Sequence, residues 1–177
     1  MTTIKQIESA PTSYPTVATA GWSTAAAALS QPMIWQRIES YIAHRWTARD
    51  VEWIVEGPCE WSPPLAPATI STVEIWEDGT WVDISPDASP LGGYWLSGCG
   101  PYRFTGTVGS GTVPAAVTEA FRRLAEYMAA KPGKPGATSE RITAGSISLQ
   151  HTRSESWMAL AMQNSGAADL LRNYRHV

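Results

Sequence analysis

The spacing of apolar residues changes along this chain, and each change marks an element. Ile34, Trp35, Ile38, Tyr41, Ile42 and Trp46 recur every three or four residues, the repeat of an amphipathic helix over about 31–46. Ser30 offers a cap to it, and Pro32 fits its first turn. From Val51 the period drops to two. Val51, Trp53 and Val55 alternate with Glu52, Ile54 and Glu56, which predicts a half-buried strand. Val73–Trp76 and Trp81–Ile84 flank Glu77-Asp78-Gly79-Thr80. That is a hairpin, because Asp-Gly supplies the positive φ of a tight turn, and it sets Trp76 against Trp81. Short strands follow at 90–96 and 101–106.

The helical period returns at Val117, Phe121, Leu124 and Met128, predicting a helix over about 114–130. Pro114 opens it and Lys131-Pro132-Gly133 closes it. Residues 142–149 read as a polar extended strand. Thr152-Arg153-Ser154-Glu155 matches a capping box and opens a third helix, about 153–172, with Gly166 a weak point that divides it. Residues 1–30 show no period and are rich in Thr, Ser, Ala and Pro. They read as an extended arm, laid either on a neighbour or on its own domain. The expected class is α+β: amphipathic helices, a small antiparallel β region between the first two, and the arm.

Composition narrows the picture. The chain has 177 residues, 44% of them hydrophobic, which suits one domain with a real core. No run approaches a membrane span. The N-terminus lacks the basic-then-apolar pattern of a signal peptide, so a cytosol-like compartment is expected. There Cys59 and Cys99 read as reduced, buried thiols rather than a bridge. The three histidines, His44, His151 and His176, form no zinc pattern, and no metal or cofactor is expected.

Charge adds a clue about partners. The net charge is −3, yet residues 50–102 hold nine acids and no Lys or Arg. Residues 103–177 hold nine bases against five acids. One reading is a solvated acidic face. The other is a head-to-tail contact between copies, with Glu52, Glu56, Glu74, Glu77 and Asp78 on one side and Arg122 and Arg123 on the other.

Catalytic patterns do not stand out. The chain contains no GxSxG, HExxH, CxxC or GxGxxG, and Gly92-Gly93 has no following lysine to make a phosphate loop. Acidic-middle carboxylates leave a paired-carboxylate hydrolase open by spacing alone. The nine tryptophans serve as core and interface anchors. Alternatively Trp53, Trp61, Trp76, Trp81 and Trp95 line a carbohydrate or other ligand groove.

Three motifs in order carry a resemblance. They are Ile34-Trp35-Gln36-Arg37-Ile38-Glu39-Ser40-Tyr41, Val113-Pro114-Ala115-Ala116-Val117 opening a helix, and Ser165-Gly166-Ala167-Ala168-Asp169-Leu170-Leu171 before an arginine-tipped end. Over residues 31–177 the chain resembles the head–tail connectors, the adaptor proteins of long-tailed phages and gene transfer agents. It departs from them in its leading arm and its larger β region. The resemblance implies a non-enzymatic subunit of the virion neck, made in the host cytoplasm. Such subunits form a closed ring, usually of twelve copies, with the portal above and a stopper or tail-completion protein below. Double-stranded DNA passes through the lumen. A connector domain over 31–177 and a docking segment at 165–177 follow from the resemblance, with the β-rich stretch 51–108, read from the residue pattern, an insertion in that domain. Portal contact then falls to Leu170, Leu171, Arg172, Tyr174 and Arg175.

Overall fold

The structure, a computed structural model, describes residues 2–130, 137–143, 148–153 and 158–175. It is a mixed fold of short helices and antiparallel sheets. The chain forms two compact units, and each takes residues from distant parts of the sequence.

The first unit comprises Met1–Pro15, Ala43–Thr112 and Tyr174–Val177. Its strands are β1 (Thr2–Glu8), β2 (Arg49–Glu56), β3 (Cys59–Trp61), β4 (Ala68–Glu77), β5 (Thr80–Asp83), β6 (Asp87–Ala88), β7 (Tyr94–Leu96) and β8 (Tyr102–Val108). A five-stranded sheet runs β1-β2-β8-β4-β5, and a three-stranded sheet runs β3-β7-β6. The period-two pattern explains the larger sheet. Val51, Trp53 and Val55 alternate with more exposed neighbours along β2, and Tyr102, Phe104 and Val108 do the same along β8. These inward side chains meet Trp61 and Leu96 of the small sheet in one core. Trp61 lies 4.1 Å from Phe104 between ring centroids. Its indole N–H donates to Thr3, and that of Trp53 donates to Gln6. Both buried indoles thus find partners on β1.

The second unit comprises Thr16–Ile42 and Val113–Asn173. It holds α1 (Thr24–Ala27), α2 (Gln31–Glu39), α3 (Ala115–Ala129), β9 (Ala137–Thr143), β10 (Ser148–Arg153), α4 (Ala161–Asn164) and α5 (Ala167–Leu171). The helix α3 touches α1, α2, α4 and α5. Its stripe of Val117, Phe121 and Leu124 is fully buried. Phe121 packs 5.0 Å from Trp35 and 5.9 Å from Trp22.

Four expectations need correction. The first helix ends at Glu39, not near 46. Beyond Ile42 the backbone has other partners: the Ala43 N–H donates to the Tyr174 carbonyl and the Arg45 N–H to the Ala66 carbonyl. The Arg45 bond and that of the Ala66 N–H to the Ala43 carbonyl make a short parallel bridge between His44 and Ala66 that a helix would forbid. The third helix does not start at 153. Thr152 and Arg153 belong to β10, paired with Ser139 and Ala137 of β9. Among the described residues helix next appears at Ala161, and Gly166 at φ +73° separates α4 from α5. Ser154 and Glu155 of the expected capping box, and 144–147 of the expected strand, lie outside the described residues. Residues 1–30 are not one arm: Thr2–Glu8 is a strand of the large sheet, and 16–30 belong to the helical unit. Cys59 and Cys99 are free, but both are exposed rather than buried.

Candidate interaction surface

The large sheet has a second face. Glu52, Ile54 and Glu56 of β2, Arg103 and Thr105 of β8, Glu74 and Trp76 of β4, and Trp81 and Asp83 of β5 share it, because paired residues project together. Lys5, Ile54, Arg103, Glu74 and Asp83 stand in one row across all five strands. Arg103 is the hub. Its guanidinium donates twice to the Glu74 carboxylate at 2.5 Å and lies 4.6 Å from the Trp81 ring centroid. Trp81 meets Trp76 edge-on at 5.1 Å, and Trp76 is 43% exposed. The Arg103 hydrogen bonds hold the Glu74 carboxyl below its usual range. Glu74 in turn raises Arg103, with smaller help from the charges of Glu52 and Asp83.

The small sheet carries a second feature. Trp95 stands between Glu60 of β3 and Asp87 of β6 and is 50% exposed. Beside it is a cleft of about 290 Å³, bordered also by Ile75, Glu77, Asp87 and Tyr102. Leu91, on the loop before β7, is 85% exposed.

The expected contact residues do not all gather. Glu52, Glu56 and Glu74 share the outer face of the large sheet. Glu77 projects to the other face and borders the cleft. Asp78 sits in the turn with φ +48°. Arg122 and Arg123 both donate to Glu119 on α3 at 2.8 Å. These bonds, chiefly that from Arg122, hold Glu119 at a pKa of about 2. The helix therefore presents two guanidiniums sharing one carboxylate, rather than bare cations.

The docking residues divide likewise. Leu171 is fully buried. The Tyr174 ring packs 5.6 Å from those of His44 and Trp46. Burial, aided by the Arg45 charge, holds the His44 imidazole below its usual pKa. Leu170 is partly buried, and Arg172 and Arg175 are exposed. Among the proposed groove tryptophans, Trp53 and Trp61 are core residues, and Trp76 and Trp95 are well exposed.

Sequence reasoning missed three residues. Arg103 was counted with the basic end. Glu8 accepts from both Arg45 and Arg49. Asp87 flanks Trp95 on a strand of two residues. For Arg103 a signal existed in the alternation of Tyr102-Arg103-Phe104, which aims the arginine away from the core. For Glu8 and Asp87 the pairing is between segments too short or too distant to be read from periodicity.

Among the described residues no group of three or more potential metal ligands converges, and no helix is long and apolar enough to cross a membrane. No family model, curated protein or solved structure matches the chain.

Proposed function

We propose that this chain is a structural subunit of a phage neck, a head–tail adaptor that closes into a ring under the portal. In this reading copies of the chain extend the DNA channel and join the capsid to a stopper or tail-completion protein below. The connector resemblance spans residues 31–177, and the earlier residues complete the two units, Thr2–Glu8 in the large sheet and 16–30 in the helical unit. The three ordered motifs of the connector resemblance support the family. The observation that carries an assembly role is the outer face of the five-stranded sheet. Trp76, Trp81 and Arg103 cluster there among carboxylates. Tryptophan and arginine are the residues that anchor protein interfaces. Trp76 is 43% exposed and packed beside Trp81, an aromatic surface that an interface would cover. Acidic surfaces near the channel also avoid holding DNA, since like charge disfavours phosphate contact.

The test is imaging and native mass spectrometry of the purified chain, alone and with its portal. Closed rings are the expected result. Only monomers, even beside the portal, would overturn the reading. A second reading, a carbohydrate-binding module, draws on half-exposed Trp95 over its cleft. A shift of the Trp95 indole resonance in a sugar panel would favour it over the ring.

A further inference from the structure

The three-stranded sheet sets an indole between two carboxylates. Glu60 and Asp87 each stand directly opposite Trp95, one on either neighbouring strand, so all three project from the same face. The indole is half exposed. Oε1 of Glu60 is buried and has no hydrogen-bond partner, a cost that an incoming donor would remove. Asp87 and Trp95 also border the adjoining cleft, with Glu77 beside them. A flat cation suits this arrangement. A guanidinium stacks on an indole through its face and donates to carboxylates through its edge. A sugar would use the ring but leave the pair of negative charges without a counterpart.

We propose that the Glu60–Trp95–Asp87 row receives a guanidinium, and that in the ring this is Arg172 of a second copy of the chain. The inference rests on the ring reading and names one of its contacts. Charge complementarity favours a second copy, because the row lies in the stretch with nine acids and no Lys or Arg, whereas the stretch after it is basic. Among the arginines whose side chains the structure describes, elimination favours Arg172. Arg45 and Arg49 are held by Glu8, Arg103 by Glu74, and Arg122 and Arg123 by Glu119. Arg37 donates to the Met158 carbonyl, and Arg175 has contacts within the chain. Among the described residues Arg172 reaches only Asp169, at 3.8 Å, with the two side chains 73% and 78% exposed. So exposed a pair is weak, and the guanidinium can exchange partners.

The experiment is a charge swap in the full chain, read as the ring fraction by native mass spectrometry with the portal present. D87K and R172E should each lower ring formation at least tenfold. The double variant D87K/R172E should restore it, which also shows that both substitutions fold. W95A should weaken assembly without rescue by R172E. Rings formed by D87K and R172E as readily as by the parent would overturn this contact and leave the ring reading standing. So would single variants that fail and a double variant that fails with them, while retaining the parent's circular dichroism. Arg172 engaging the portal instead would appear as R172E rings that form normally but no longer bind it. A parent that stays monomeric beside the portal would overturn both.

Discussion

Arg103 shows how much one residue changes the meaning of its neighbours. Counted along the sequence it opens a basic region, and Glu74 belongs to an acidic one. In the sheet they form a two-pronged ion pair, with side chains 27% and 15% exposed. The charge blocks were legible in the sequence, but a linear tally separates residues that strand pairing joins. R103M should cost about 1–2 kcal/mol, because it leaves a half-buried carboxylate without donors while keeping the apolar stem. Urea denaturation of the variant measures this. A pH effect follows with definite sign. Folding depresses the Glu74 pKa below its ordinary 4.5. The stability this gives is complete above that value and drains as pH falls through the lower folded one. In R103M that contribution is absent, so the acid limb of the melting temperature between about pH 5 and 3 should be shallower than in the parent.

At the scale of elements, periodicity read the long pieces well. The alternation at 51–56, the Asp-Gly hairpin and the stripe of α3 all reappear in the structure. The shorter pieces were hidden for physical reasons. A strand such as β6 has no room for a period, and α1 is one turn tied down by a distant partner. The hydroxyl of Ser23 accepts from the Ala26 N–H, and Glu126 of α3 accepts from both the N–H and the hydroxyl of Ser23. Replacing Glu126 with alanine should free the start of α1. Hydrogen exchange of the amides from Ser23 to Ala28 should accelerate while those of α3 stay slow. The central strand makes a harsher prediction. A Cβ at Gly106 would collide with the Thr69 carbonyl and the Ile70 Cα of β4, where the pairing register shifts. G106A should therefore cost about 2 kcal/mol, of the order seen for overpacked cores, and lower the thermal midpoint. F121A on α3 should cost more, about 3–5 kcal/mol by the usual scale for a buried ring, in the same measurement.

For the whole molecule, the sequence was least informative about which segments belong together. It suggested a leading arm, a domain and a docking tail. The structure instead takes residues 2–15 and 43–112, with Tyr174, into one unit and the segments between into another. Hydrophobic period reports which face of an element is buried but not which remote segment buries it. Leu171 and Tyr174 fit an apolar, aromatic tail equally well whether they meet a portal or their own chain. Removing residues from 170 onward would thus confound two effects, since it strips a core leucine as well as exposed arginines. Substitutions at Arg172 and Arg175 separate them. They should leave far-UV circular dichroism unchanged, whereas Y174A should bare His44 and Trp46 and quicken limited proteolysis nearby. The placing of Tyr174 also has a consequence in time. The stretch Val113–Asn173 leaves the ribosome between the last strand of the β unit and the tyrosine that packs on that unit. During synthesis, then, the sheet must wait, its aromatic seat at His44 and Trp46 vacant, until every helix has been made.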